Sequence, residues 1–129
     1  RSALDDSGVR AEQVGYINAH ATGTEAGDPV EVQAIKRVFG AAARDVAVSS
    51  TKSMHGHLVG ASGALECAIT ALALEQRRIP PTANLTVPDP ECDLDCVPVV
   101  GRDAPDLEFA MSNSFAFGGS NATLVLKRA

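Results

Sequence analysis

A strand, a helix and a second strand follow one another in the first half of the chain, and that succession limits the fold more than any other feature. Val14-Gly15-Tyr16-Ile17-Asn18-Ala19 is apolar, partly β-branched and bounded by polar residues, which predicts a buried strand. Asp28-Pro29-Val30-Glu31 then reads as a helix start, with Asp28 at the N-cap and Pro29 at the first helical position. Val30, Ala34, Ile35, Val38 and Phe39 are spaced to share one face, and Gly40 ends the helix. Residues 45–50 form a second strand. Two strands joined through a helix of this length run parallel, with a right-handed crossover. The expected class is therefore α/β, a sheet with packed helices. Ligands of such sheets sit beyond the carboxyl ends of the strands, and both His20 and the loop over residues 52–57 leave from such ends.

Elsewhere the signals are of mixed strength. A helix ends near Gly8, and residues 59–78 form a second long helix, with Leu65, Ile69, Leu72 and Ala73 spaced to bury one side. Its middle is so apolar that cover on more than one side, as in an interior layer, is expected. Residues 79–105 hold six of the seven prolines and read as a long ordered loop with at most a brief strand over 97–100. Two further strands, 107–112 and 122–127, are joined by a small-residue turn that contains Phe115 and Phe117.

Composition enters mainly by exclusion. At 129 residues and 45% hydrophobic the chain supports one domain, over residues 1–129. A net charge of −5 argues against nucleic acid, which needs clustered Lys and Arg. No apolar run reaches membrane-spanning length and no signal peptide is recognisable, so a cytoplasmic location is expected. Three cysteines, Cys67, Cys92 and Cys96, point to reduced thiols. The start at Arg1 in mid-pattern suggests a fragment or a processed product.

The stretch from Ser49 to Gly63 carries most of the chemistry, because it packs Lys52, His55 and His57 with hydroxyls and glycines between a strand and a helix. His57, just ahead of a helix N-terminus, is disfavoured as a cation and is suited as a neutral imidazole to an oxyanion. With His20 and His55 it forms an alternative zinc site, although no HExxH pattern accompanies the three. Lys52 reads either as a solvated charge or as the partner of Glu66 in a buried ion pair. Gly56, Gly60 and Gly63 match no phosphate-loop spacing and permit close backbone approach instead.

Three ordered motifs then carry a resemblance. Asn18-Ala19-His20-Ala21-Thr22-Gly23-Thr24 with Gly27-Asp28, Ser50-Thr51-Lys52-Ser53-Met54 running into Gly56-His57-Leu58-Val59-Gly60-Ala61-Ser62-Gly63, and Asn113-Ser114-Phe115 running into Phe117-Gly118-Gly119-Ser120-Asn121 resemble the C-terminal signatures of β-ketoacyl synthases. These are the Cys-His-His condensing enzymes of fatty acid and polyketide synthesis. The resemblance covers nearly the whole chain and implies the C-terminal half of a thiolase-like α-β-α-β-α fold, with a mixed sheet. It implies decarboxylative condensation of an acyl thioester with malonyl-acyl carrier protein, with His20 and His57 catalytic and Lys52 paired with Glu66. Phe115 matches the gating phenylalanine, and Phe117, Thr22 and Thr24 are the further substrate-binding or gating positions.

The same resemblance implies no cofactor and no metal, since substrates arrive on the phosphopantetheine of an acyl carrier protein. Implied partners are that carrier protein, an N-terminal half, and a second subunit in a homodimer or a ketosynthase heterodimer. His55, Cys67, Cys92 and Cys96 are structural by this reading. Two departures stand out. Ala116 replaces a family glycine, which predicts slower or altered gating, and the nucleophilic cysteine belongs to the N-terminal half, so the fragment alone is expected to be inactive. The alternative is a non-catalytic chain-length or interaction subunit that keeps the fold.

Overall fold

The computed structural model describes residues 1–129. A short helix α1 (Ser2–Ser7) is closed by Gly8 at φ 68°, as its position after the apolar pattern predicts. Strand β1 (Val14–Asn18) follows, then helix α2 (Gly27–Phe39), strand β2 (Ala47–Ser49), a single helical turn α3 (Lys52–His55) and the long helix α4 (Ser62–Gln76). The chain continues through β3 (Arg78–Ile79) and β4 (Arg102–Asp103) to the hairpin of β5 (Phe109–Ala116) and β6 (Ser120–Lys127).

The main sheet has the order β2-β1-β5-β6. β1 is parallel to both β2 and β5, whereas β5 and β6 are antiparallel, so the sheet is mixed. Period-two alternation sorts its residues between two cores. Ile17, aligned with Val48 and Met111, joins Ile35 and Phe39 of α2 on one side. Tyr16, aligned with Ala47 and Ala110, joins Ala73 and Leu74 of α4 on the other. The sheet therefore lies between two helices.

Several expectations shift. α2 begins one residue before Asp28, and the Asp28 carboxylate accepts the N–H groups of Gly23 (3.2 Å) and Thr24 (3.4 Å), stitching the preceding loop rather than capping the helix. Its buried face is Glu31, Val32, Ile35 and Phe39, and Val30 is exposed. On α4 the buried stripe is Ser62, Glu66, Thr70, Ala73 and Leu74, while Leu72 is half exposed. Polar side chains win that face because the ends of β1 and β2 beneath it present Asn18, Ser49 and Thr51, all buried. Of the apolar residues expected on that face, Ala73 is buried while Leu65, Ile69 and Leu72 are partly or largely exposed, which fits a helix built for cover on two sides.

The strand expected over 97–100 is absent, since Val97 and Val99 adopt φ of 43° and 62° and only a bridge between Thr82 and Pro98 forms. Order in this loop comes from ion pairs of Lys36 with Asp93 and of Arg102 with Asp95, and from the Val48 N–H donated to the Asp95 carbonyl at 2.8 Å. The turn expected between the last two strands is far shorter than its composition implies, because β5 and β6 stay paired out to Ala116 and Ser120. Gly118 and Gly119, at φ 82° and 80°, make the reversal.

Candidate active site

His20 is placed by a buried carboxylate. Glu31 on α2 accepts the backbone N–H groups of His20 (3.0 Å) and Ala21 (2.8 Å) and the side-chain amide of Asn113 on β5 (3.0 Å). Asn113 in turn accepts the Thr123 hydroxyl of β6 at 2.9 Å. The turn that carries His20 is thus tied to the helix and to the hairpin at once. Burial raises the Glu31 pKa, while the hydrogen bonds from Ala21, Asn113 and His20 pull it back. Sequence reasoning missed Glu31 because a glutamate in a first helical turn is explained by the helix dipole alone.

Glu31→Gln in the complete protein should cost about 1–3 kcal/mol, since an amide NH₂ then faces a backbone donor. A pKa raised by folding gives stability that is present below the ordinary glutamate range and is lost as pH rises through the folded value. In thermal unfolding across that window the stability gap between wild type and Glu31→Gln should therefore widen on acidification. Parallel curves would exclude the assigned role.

Lys52, the first residue of α3, and Glu66 on α4 form the expected ion pair, with Nζ 2.5 Å from Oε1 and side-chain exposures of 5% and 0%. Neither group has a hydrogen-bond partner of its own, so the two charges depend on each other. Around them Asn18 donates to the Glu66 carbonyl (3.3 Å) and to Thr70 Oγ1 (3.3 Å), and Thr51 donates to Asn18 Oδ1 (3.2 Å).

His20 and His57 come together edge to face, with ring centroids 5.6 Å apart and planes at 87°. The Phe115 ring lies 5.7 Å from His20. Burial first, then the positive charge of Lys52 and the neighbouring His57, push the His20 pKa below its usual value. At neutral pH His20 is therefore uncharged. A depressed histidine pKa gives stability that is lost as pH falls through the folded value, and ring-proton NMR should show His20 titrating below about 6.5.

The proton on His57 is placed by its surroundings. The Val59 N–H, which can only donate, lies 3.3 Å from His57 Nδ1, so Nδ1 is the acceptor and the neutral ring carries its proton on Nε2. The helix expected directly after His57 starts only at Ser62, after a 3₁₀ turn Val59–Ala61.

The other candidates separate. His55 is occupied with Thr51 Oγ1 (3.2 Å) and the Gly56 carbonyl (2.7 Å). No group of three His, Cys, Asp or Glu side chains is arranged to hold a metal ion. Thr22 and Thr24, with their hydroxyls 3.5 Å apart, line a cavity of about 440 Å³ with Asp28, Lys52 and Cys96, and neither His20 nor His57 borders it. Phe117 stands fully exposed at the hairpin tip. Ala116 is in extended backbone, φ −135° and ψ 159°, with no strain in this conformation. No helix is long and apolar enough to cross a membrane.

A family model described as "Beta-ketoacyl synthase, C-terminal domain" matches residues 1–86. The 3-oxoacyl-[acyl-carrier-protein] synthase 2 of Staphylococcus aureus (strain COL) is 51% identical over 128 residues, 99% of this chain and 31% of the relative. The chain thus spans about a third of that relative's length. Among solved structures, the ishigamide ketosynthase/chain length factor superposes with a TM-score of 0.95 at 43% identity, covering 100% of this chain and 31% of the other. A type II PKS acyl-carrier protein in complex with its ketosynthase bound to the hexaketide gives 0.94 at 36% identity, covering 99% and 31%. Fold, motifs and sequence identity agree along the same residues, and the chain belongs to the β-ketoacyl synthase family, in the part of it that family describes as the C-terminal domain.

Proposed function

We propose that the chain supplies the decarboxylation half of the active site of a cytoplasmic β-ketoacyl-acyl carrier protein synthase. The observation that carries this reading is the edge-to-face pair of His20 and His57, one ring held neutral by burial and positive neighbours, the other carrying its proton on Nε2. Imidazole N–H donors suit a thioester oxygen on which negative charge develops. When the malonyl carboxylate leaves as CO₂, the electron pair of the broken C–C bond moves to the thioester and gives an enolate held by the two imidazoles. The enolate carbon attacks the acyl thioester on a cysteine supplied by the rest of the protein, and the cysteine thiolate departs. His20, His57, Lys52 and Glu66 are the catalytic set, with Lys52 and Glu66 acting by orientation. Thr22 and Thr24 line the path of the phosphopantetheine arm of an acyl carrier protein, and Phe115 and Phe117 gate it. The N-terminal half and a second subunit complete the enzyme.

A second reading, a non-catalytic chain-length subunit, draws on the similarity to a ketosynthase/chain length factor. The complete protein, given acyl- and malonyl-carrier protein, should release CO₂ and form 3-oxoacyl-carrier protein. A folded complete protein that forms none would favour the second reading. Ala116→Gly is expected to speed acyl exchange; an unchanged rate and chain-length preference would remove the gating effect assigned to Ala116.

A further inference from the structure

The Val59 N–H is a long contact to His57 Nδ1, and a closer one comes from a residue with no assigned role. Ser62 opens α4, is 4% exposed, and places Oγ 3.0 Å from His57 Nδ1. The same oxygen accepts the Leu58 N–H at 2.9 Å. Because Nδ1 already accepts the Val59 N–H, it has no proton to give, and the Ser62 hydroxyl is the donor to it. Nδ1 then receives two donors, Ser62 Oγ–H and Val59 N–H. A proton on Nδ1 would oppose the Val59 N–H and would force the Ser62 hydroxyl to turn away and accept twice.

The backbone between the two residues is held at a cost. Val59 is β-branched, is 80% exposed and adopts φ 50°, in the left-handed region that such residues rarely occupy. Its side chain is largely exposed, so little burial offsets the strain of this conformation. What the conformation does achieve is the aim of its N–H at Nδ1, in a turn closed by the Ala61 N–H on the Leu58 carbonyl at 3.0 Å. Ser62 anchors the far end of that turn through Leu58 and the ring through Nδ1.

We propose that Ser62 is a positioning residue that, with the strained turn at Val59, locks His57 in its Nε2–H tautomer and aims that proton at the thioester oxygen. This rests on the catalytic reading of His57 given above. The test uses the complete synthase with His ring ¹⁵N labelling, in wild type, Ser62→Ala, Ser62→Thr and His57→Ala. In wild type at a pH where the ring is neutral, two-bond ¹H–¹⁵N spectra should show the Nε2–H form alone. Ser62→Ala should show a mixture of tautomers and lose about 10-fold in kcat for malonyl decarboxylation, with KM little changed, because ring aim and tautomer act at the transition state. Ser62→Thr keeps the hydroxyl and should restore both readouts.

A wild-type ring protonated on Nδ1 would overturn the proposal whether or not any variant folds. So would a folded Ser62→Ala with wild-type kcat and an unchanged tautomer. His57→Ala separates the two levels of the argument: an active His57→Ala refutes the catalytic reading, whereas an inactive His57→Ala beside a fully active Ser62→Ala refutes only the role of Ser62.

Discussion

Glu66→Leu in the complete protein should lower the stability to unfolding by about 3–5 kcal/mol, because it strands the Lys52 ammonium where no other partner exists. Lys52→Met alone should cost a similar amount by stranding the carboxylate. The double variant Lys52→Met/Glu66→Leu removes both charges and should recover most of the loss, since well-packed apolar groups of similar volume commonly equal or exceed a buried ion pair. Denaturant midpoints of the four proteins measure this cycle directly. The pair is costly to keep, and its value lies in placement: Lys52 leaves the carboxyl end of β2 through Thr51 and ties it to α4 at Glu66. The recovered double variant should therefore be stable and slow. Stability without loss of rate would mean that the pair serves the fold alone.

His20→Ala and His57→Ala should each lower kcat for condensation by about 10²–10³, the effect of removing one preorganised donor from a developing oxyanion. His20 reaches the site just beyond the end of β1 at Asn18, anchored by its own N–H on Glu31. His57 reaches it from the other side, on the turn between α3 and α4. KM for the malonyl substrate should change far less than kcat, because the contacts strengthen only as charge moves to the oxygen. Equal losses in binding and turnover would point to a ground-state role instead.

Much of this was legible in the sequence where local chemistry and long-range packing agree. β1 and β2 are short buried runs between turn residues, and parallel pairing follows from the helix between them. The Lys52–Glu66 pair was one of two readings open to the residues, and the resemblance selected it. The misses share one cause. Glu31, Ser62 and Thr70 occupy buried helix positions because the strand ends beneath them are polar, and apolar periodicity carries no trace of a polar partner across the fold. The expected α4 stripe holds only in part: Ala73 packs into the core on the sheet, whereas Leu65 and Ile69 are partly exposed and Leu72 is exposed. Val97 and Val99 read as strand formers, yet the loop that holds them is fixed by the pairs Lys36–Asp93 and Arg102–Asp95, distant in sequence.

The central claim is that His20 and His57 act together on one oxygen, and malonyl decarboxylation by the complete protein carrying His20→Ala, His57→Ala or both tests it most directly. Groups that act as a unit are strongly non-additive. Each single variant should lose about 10²–10³ in kcat, and the double variant should lie within a few-fold of the worse single. Full activity in either single variant, or a double loss equal to the product of the two, would contradict a shared role at the enolate.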